Sequence, residues 1–328
     1  MDLDPHIIEL IGRYLGAGLA LGFGGIGAAV GMGLAAGNAD EGIMRQPETQ
    51  SQMVRTMLIG QAVGGSPSIF ALVIGLMILF VPSASLSGTE TTMVAGLIAA
   101  GIAIGLGCFG SGLGCGWPAA AGCSGVARNP RHASRITQAM IIGQAVAQSP
   151  SIFAAVIALV LLFVNFAPGA AEWAIVGIAI GAGIAMGAGG LGPGLGSGVT
   201  AGGAISGLSL WPQTYGTTVR TMLIGQAVAQ TPAIFGLLIA FIMMFAMQDI
   251  GDGIIGFARA VAAGVAVGFG GIGPGIGSGI AAERGCSASA ARPRIEALVL
   301  RTMLIGQAVS QSTAIYSLII ALIILYVL

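Results

Sequence analysis

Few side chains in this 328-residue sequence could carry out chemistry on a substrate: twelve arginines, twelve acidic residues, two histidines and four cysteines. No nucleophile lies near a base and an orienting group, so we predict no catalytic residues and no cofactor. Cys108, Cys115 and Cys123 are spaced by seven and eight residues on one helical face, a spacing that could suit a metal or redox site. Only His6 and His132 could be added as ligands, so small-residue packing explains these cysteines better, and we expect no strong metal site.

A glycine pattern of dinucleotide-binding loops, G-x-G-x-x-G, occurs four times, first at Gly22, Gly24 and Gly27. In cofactor-binding proteins this loop follows a β-strand and opens a helix, but here each copy lies within an apolar stretch that no strand precedes. Glycine at every second to fourth residue of a helix leaves a strip without side chains, and another helix can approach that strip closely. We therefore assign the glycines to helix packing.

Four copies of one unit fill the chain. Each copy carries the sequence GQAV, with its glutamine at position 61, 144, 226 or 307, followed by a similar polar run such as QSPSIF. A run of spaced glycines lies upstream, and its fifth position is 30 residues from the glutamine in all four copies, as Gly31 is from Gln61. This constant spacing predicts four helix–loop–helix hairpins.

The composition, 55% hydrophobic and only 7% charged, excludes a soluble fold. Eight uncharged apolar stretches are each long enough to cross a bilayer, because about 20 helical residues span its core of about 30 Å. The predicted fold class is an all-α membrane protein of eight transmembrane helices in four tandem hairpins. We place these hairpins at residues 1–86, 87–168, 169–250 and 251–328.

The charged residues differ between the two ends of the hairpins. The within-hairpin loops and their flanks hold ten arginines and five acids, whereas the opposite ends hold two arginines and seven acids. By the positive-inside rule we expect a multi-pass protein with cytoplasmic within-hairpin loops and both termini outside.

The acidic start, Met1 to Pro5, lacks the basic region of a signal peptide, so we expect no leader to be removed. A net charge of zero gives no attraction for nucleic acid, so the expected partners are lipid and membrane proteins.

A glycine-rich helix, an Arg-Gln-Pro loop and a GQAV helix resemble the c subunit, or proteolipid, of rotary ATP synthases and ATPases, and the resemblance covers all four hairpins. It implies a c-type ring in a prokaryotic cell membrane, with first helices inside and second helices outside. Such a ring turns as H⁺ or Na⁺ binds to and leaves a carboxylate halfway along the outer helix. The implied partners are other copies of this chain, other proteolipids, and the stator and central-stalk subunits. The residues that match the stalk-facing loop are Arg45, Gln46, Pro47, Arg128, Asn129 and Pro130.

Hairpin 4 is most similar to the Na⁺-binding branch of this family. The positions matching that branch's ion ligands are the Val309 carbonyl, Ser312, Thr313 and Tyr316, with Ser278 at the first-helix ligand position.

The sequence departs from the family at the carboxylate position, which falls on Gly65, Gln148, Gln230 and Gln311 and is followed by Ser66, Ser149, Thr231 and Ser312. Glutamine supplies an oxygen, but not the negative charge that a hard cation needs, and it cannot release and rebind a proton as a carboxylic acid does.

Two interpretations of these glutamines remain open. They are either neutral mimics of the occupied carboxylic acid, which lipid tolerates, or hydrogen-bonding residues kept after function was lost. Gly65 cannot be such a mimic.

Two functions follow from the resemblance. The first is a non-catalytic rotor-ring component of an ATP synthase or ATPase membrane sector for proton or sodium transport, whose neutral hairpins are spacers in a mixed ring. In that ring a carboxylate-bearing proteolipid supplies the ion sites. The alternative is a c-ring-like structural membrane scaffold that transports nothing and is attached to another complex.

Overall fold

Eight apolar helical rods dominate the structure, a computed structural model that describes residues 5–81, 89–165, 170–247, 250–251 and 253–327. Within those residues there are helices and turns but no strand. Each rod is long and apolar enough to cross a bilayer, which confirms the predicted all-α fold of eight transmembrane helices.

The rods pair into four hairpins, each with a first and a second helix. The first helices are α1 (Pro5–Arg45), α4 (Glu90–Arg128), α7 (Glu172–Leu210) and the two segments α10 (Gly253–Gly270) and α11 (Ile272–Ala291). The second helices are α2 (Gln50–Gly64) with α3 (Ser66–Phe80), α5 (Ala133–Ala147) with α6 (Ser149–Phe163), α8 (Tyr215–Ala229) with α9 (Thr231–Phe241) and the π-helical turn Ile242–Ala246, and the unbroken α12 (Glu296–Tyr326).

A short 3₁₀ turn that starts with proline joins the two helices of every hairpin. These turns are Pro47–Thr49, Pro130–His132, Pro212–Thr214 and Pro293–Ile295. Proline has no N–H to continue the first helix, but its fixed φ suits the start of the next one. In hairpin 1 the Thr49 hydroxyl donates to the Gln46 carbonyl at 2.9 Å, and in hairpin 3 Thr214 bonds Trp211 in the same way at 2.7 Å.

The first helices pack side by side through their glycines. A Cβ added at Gly198 would overlap the carbonyl oxygen of Gly114, and one at Gly196 would overlap that of Gly275. Backbones this close leave no room for side chains, so glycine is required at these contacts. The first helices of the four hairpins therefore form one continuous inner layer, from α1 through α4 and α7 to α10 and α11.

The second helices form an outer layer, and those of hairpins 1 to 3 each lie against the first helix of the following hairpin. The glycine of each GQAV motif makes this contact at all three internal junctions, where a Cβ would lie 3.0 Å or less from an alanine Cβ of the next first helix. The pairs are Gly60 with Ala119, Gly143 with Ala201, and Gly225 with Ala282. The outer surface carries exposed apolar side chains such as Ile69, Ile152 and Ile234, which suits contact with lipid.

The predicted boundaries between hairpins fall in the connections between the rods. The boundaries at 86/87 and 168/169 lie outside the described residues. Near the third, at 250/251, Gly251 has a φ of +103°, a backbone conformation that favours glycine. The boundaries remain predictions.

The glycine contacts predict a specific cost for one methyl group. We expect Gly198→Ala to destabilise the protein by about 1–3 kcal/mol, because the new Cβ meets the Gly114 carbonyl and forces the helices apart. Gly216→Ala is the matched control, since nothing lies within 4 Å of its added Cβ, and it should leave stability unchanged or raise it by up to about 1 kcal/mol. Unfolding of the purified protein in mixed detergent measures both. Equal stability of the two variants would contradict the close packing.

Candidate functional site

The second helix of hairpins 1, 2 and 3 breaks near its middle, at the position that matches the rotor carboxylate. The breaks fall at Gly65, Gln148 and Gln230, while in hairpin 4 the corresponding Gln311 lies within the unbroken helix α12. A proline follows each break by two residues, at Pro67, Pro150 and Pro232, whereas hairpin 4 has Thr313 in its place.

Each of these prolines removes the hydrogen bond of one backbone carbonyl. In a helix, the carbonyl of residue i accepts from the N–H of residue i+4, and proline has no N–H. The carbonyls that lose their donor belong to Val63, Val146 and Val228, the valines of the GQAV motifs. Inside a bilayer an unpaired carbonyl costs several kcal/mol because no water replaces the donor, so another group is needed.

The following hairpin provides that donor. The side-chain amide of Gln148 donates to the Val63 carbonyl at 2.7 Å, and that of Gln230 donates in the same way to the Val146 carbonyl. Gln311 donates to the Val228 carbonyl at 3.0 Å, and the Thr231 hydroxyl donates to the same carbonyl at 2.9 Å. One amide–carbonyl pair therefore joins each hairpin to the next at all three internal junctions. We call these three pairs the amide locks.

A second layer of amide contacts lies one helical turn away, at the glutamines of the GQAV motifs. Gln144 donates to the carbonyl of Gly60 in the preceding hairpin at 2.8 Å and to that of Cys115 in its own first helix at 3.1 Å. Gln226 and Gln307 repeat both contacts, at 2.9–3.1 Å, and all three side chains are fully buried. Gln61, in hairpin 1, donates to its own first helix, through the Met32 carbonyl at 3.1 Å, and among the described residues it has no preceding hairpin to bond.

The first-helix position near the amide locks differs between hairpins. Ser278 accepts a second hydrogen bond from the Gln311 amide at 2.8 Å, and Gln311 is only 7% exposed. The equivalent Ser197 is buried, and its hydroxyl has no partner among the described residues. Hairpin 4 therefore brings together two of the predicted site residues, Ser278 and Gln311.

The other residues matched to the sodium site lie on surfaces with fewer contacts. Val309 is 68% exposed and Tyr316 is 62% exposed, on an edge of hairpin 4 that no described hairpin covers. Ser312 donates to the Val309 carbonyl at 2.7 Å and Thr313 to that of Ser310 at 3.2 Å. Thr231 donates in the same way to the Val228 carbonyl at 2.9 Å, while Ser66 and Ser149 are partly buried beside the helix breaks.

The residues matched to the stalk-facing loops lie at the ends of the first helices. Arg45 ends α1 and pairs with Glu41 one turn earlier, while Gln46 and Pro47 lead into the turn. Arg128 reaches the Ser209 hydroxyl of hairpin 3 at 3.5 Å. Asn129 bonds the His132 ring at 2.9 Å across the turn that Pro130 starts. Both loops are therefore short, ordered and polar.

The amide locks contain only neutral groups: amides, carbonyls and a hydroxyl. None of these gains or loses a charge near neutral pH. Across the ranges that the structure describes, no group of three or more His, Cys, Asp or Glu residues could hold a metal ion. The locks can join helices, but they offer no charge to a cation.

Four glycine-packed hairpins with paired polar groups at mid-helix define a multi-pass membrane protein of the proteolipid class. Residues 15–78, 98–161, 180–243 and 261–324 each match the family of the ATP synthase c subunit. The matches cover most of the chain, one to each hairpin, and the chain belongs to this family.

Single-hairpin relatives support this assignment. The chain is 46% identical over 78 residues to the ATP synthase c subunit of Natranaerobius thermophilus, and the match covers 24% of this chain and 90% of that protein. It is 46% identical over 81 residues to the c subunit of Clostridium acetobutylicum, covering 25% of this chain and 99% of the relative. With the c subunit of Alkaliphilus oremlandii it shares 51% identity over 71 residues, or 22% and 80% of the two chains. Each relative thus corresponds to about a quarter of this chain.

The sequence analysis named the Val309 carbonyl in hairpin 4 but did not extend it to its repeat equivalents, the carbonyls of Val63, Val146 and Val228. The available signal was the spacing of valine and proline, four residues apart in hairpins 1 to 3 and absent from hairpin 4. That spacing identifies the carbonyls without a helical donor, but only the structure shows which side chain reaches them.

The amide locks predict an energetic coupling between a glutamine and a proline on neighbouring hairpins. Gln230→Leu should destabilise the protein by about 1–3 kcal/mol, because it leaves the partly buried Val146 carbonyl without its side-chain donor. In a Pro150→Ala background the new backbone N–H supplies that donor, so Gln230→Leu should cost about 1 kcal/mol less there. Unfolding of the parent, both single variants and the double variant measures the coupling. Additive effects would mean that the carbonyl does not depend on Gln230.

Proposed function

We propose that this chain is a rotor-ring component of the membrane sector of a rotary ATP synthase or ATPase, in which its hairpins are neutral spacers beside carboxylate-bearing hairpins of another proteolipid. The observation that carries the proposal is the set of amide locks. At each internal junction the position equivalent to the family's carboxylate holds a glutamine whose amide bonds a carbonyl of the preceding hairpin.

The amide locks oppose cation binding in two ways. A cation at this position would need the lone pairs of the Val63, Val146 or Val228 carbonyl, and these accept N–H groups instead. It would also need a negative charge nearby, because a bare charge at mid-bilayer costs several kcal/mol, and glutamine provides none. The internal junctions therefore keep the shape of occupied sites without an ion.

The two edges of the chain support assembly with further hairpins. On α1, a Cβ at Gly18, Gly22 or Gly33 would meet nothing within 4 Å. At the equivalent positions of hairpins 2, 3 and 4, the same Cβ would overlap the backbone of the preceding first helix or come very close to it. The glycines of α1 thus present the same packing surface without a neighbour, as an open ring segment would.

The first edge differs from the internal junctions in ways that disfavour a second copy of this chain as the neighbour. Gly65 has no side-chain amide to offer a preceding hairpin. Ala29 occupies the position of Gly112, Gly194 and Gly275, where a Cβ would lie only 2.5–2.7 Å from the preceding backbone. An end-to-end contact between two copies could not repeat the internal packing without a shift, which supports a different proteolipid as the neighbour.

At the other edge, hairpin 4 lacks the mid-helix proline, and Thr313 retains the N–H that Pro67, Pro150 and Pro232 lack. The Val309 carbonyl therefore needs no glutamine from a following hairpin. The exposed hydroxyls beside it, on Thr313 and Tyr316, suit a neighbour that brings a carboxylate and its ion.

The proposal includes an orientation and partners. The within-hairpin loops, with Arg45 and Arg128, face the cytoplasm of a prokaryotic cell, and the termini lie outside. Loops 1 and 2 meet the central stalk, and the stator contacts the carboxylate-bearing hairpins. Because four hairpins carry no ion, fewer ions cross per turn, which favours ATP-driven pumping against a steep gradient over synthesis.

A labelling experiment on the intact rotor tests this proposal. The rotor is purified from its native membrane, treated with a hydrophobic carbodiimide that modifies carboxyl groups in the membrane, and each of its proteins is weighed by mass spectrometry. We expect this chain to be unmodified and a smaller, co-purifying proteolipid to carry the label. In Gln311→Glu, a carboxyl group at mid-helix should make this chain reactive, whereas Gln311→Asn, the neutral control, should remain unmodified.

Two results would contradict the proposal. Labelling of the parent chain within a transmembrane helix would mean that the ion position has been placed incorrectly. A rotor that contains this chain as its sole proteolipid would rule out the mixed ring.

A further inference from the structure

A cavity of about 500 Å³ opens between hairpins 1 and 2, at the loop ends of the outer helices α2 and α5. Arg55 and Arg131 line it from the two hairpins. Both arginines are exposed, and the residues that line the cavity include no Asp or Glu. Two guanidinium groups therefore face one opening without a carboxylate.

The junction between hairpins 3 and 4 shows what such an arginine does when an acid is available. Arg220 is the repeat equivalent of Arg55, and it binds Glu296 of the next hairpin through two nitrogens, at 2.6–3.1 Å. The hairpin 2 equivalent of Glu296 is Ala133, which lines the cavity. The cavity therefore lies where a carboxylate closes the later junction.

We propose that this cavity binds the phosphate of an anionic phospholipid headgroup. Guanidinium groups bind phosphate oxygens through paired, charge-assisted hydrogen bonds, and basic pockets between transmembrane helices recognise lipid headgroups. This inference does not depend on the proposed rotor function, since it concerns the outer surface near the loops.

The other lining groups fit a headgroup above an acyl chain. The Thr56 hydroxyl donates to the Gln52 carbonyl at 3.0 Å and lies 3.3 Å from the Thr137 hydroxyl across the junction. Thr137, which also lines the cavity, can rotate to donate to a phosphate or glycerol oxygen. Ile59 and Ile141, one helical turn further from the loops, provide apolar contact for the first carbons of the chains. A soluble anion would use the charges but not this apolar part, so the lining favours a lipid.

Photo-crosslinking of the intact complex tests the site. The complex is reconstituted into phosphatidylcholine nanodiscs with a trace of photoactivatable phosphatidylglycerol or photoactivatable phosphatidylcholine, and the labelled peptides are mapped. In the parent we expect phosphatidylglycerol to label residues 50–60 and 131–141 in preference to phosphatidylcholine. The double variant Arg55→Gln/Arg131→Gln should reduce this labelling about tenfold, because it removes both cationic donors.

Two further variants separate loss of the site from loss of the fold. Ala133→Glu should reduce the labelling as strongly, because it copies the acid that pairs with Arg220. Arg220→Gln is the matched control and should leave labelling of the first junction unchanged, since that arginine is already bound to Glu296.

Three outcomes would overturn the proposal. They are undiminished labelling in both cavity variants, equal labelling by the two lipids in the parent, and a parent that retains radioactive inorganic phosphate but does not prefer phosphatidylglycerol. The last result would assign the arginines to a soluble phosphate.

Discussion

The structure depends on one constraint: in the middle of a bilayer, every backbone carbonyl needs a hydrogen-bond donor. Pro67, Pro150 and Pro232 remove the helical donors of three valine carbonyls, and the glutamines of the following hairpins replace them. The replacement works only between hairpins, so the prolines make each hairpin depend on the next. Hairpin 4 lacks this proline, and its second helix is continuous.

Glycine packing brings these groups within reach. The first helices approach until their backbones touch, as at Gly114 and Gly198, and the glycine of each GQAV motif seats the outer helix against the next hairpin. In hairpins 2 to 4 the glutamine of that motif then bonds both neighbouring helices, and the amide locks follow one turn later. In our proposal, the same geometry that places an ion between hairpins elsewhere in the family here places a neutral amide.

Much of this architecture could be predicted from the sequence, because its signals are strong and local. The eight spans follow from apolar length, and the hairpins follow from the constant spacing of the glycine runs and GQAV. The absence of an acid at mid-helix could also be predicted, because the sequence has residues such as Gln230 and Gln311 at that position. The hydrogen-bond partner of each glutamine could not be predicted, because the acceptor carbonyl belongs to a residue more than 80 positions away in the chain. The cavity at Arg55 and Arg131 was hidden for a similar reason: it depends on which residue of the next hairpin faces each arginine.

The most direct test of the amide locks is an experimental structure of the intact rotor, determined by electron cryo-microscopy in saturating NaCl at a resolution that shows ions and side-chain amides. Our account predicts Gln148, Gln230 and Gln311 within hydrogen-bond distance of the carbonyls of Val63, Val146 and Val228, with no density between each pair. Rounded density between a glutamine oxygen and the valine carbonyl oxygen, with each oxygen at coordination distance from the centre of that density, would reveal a bound cation. That result would contradict the amide locks.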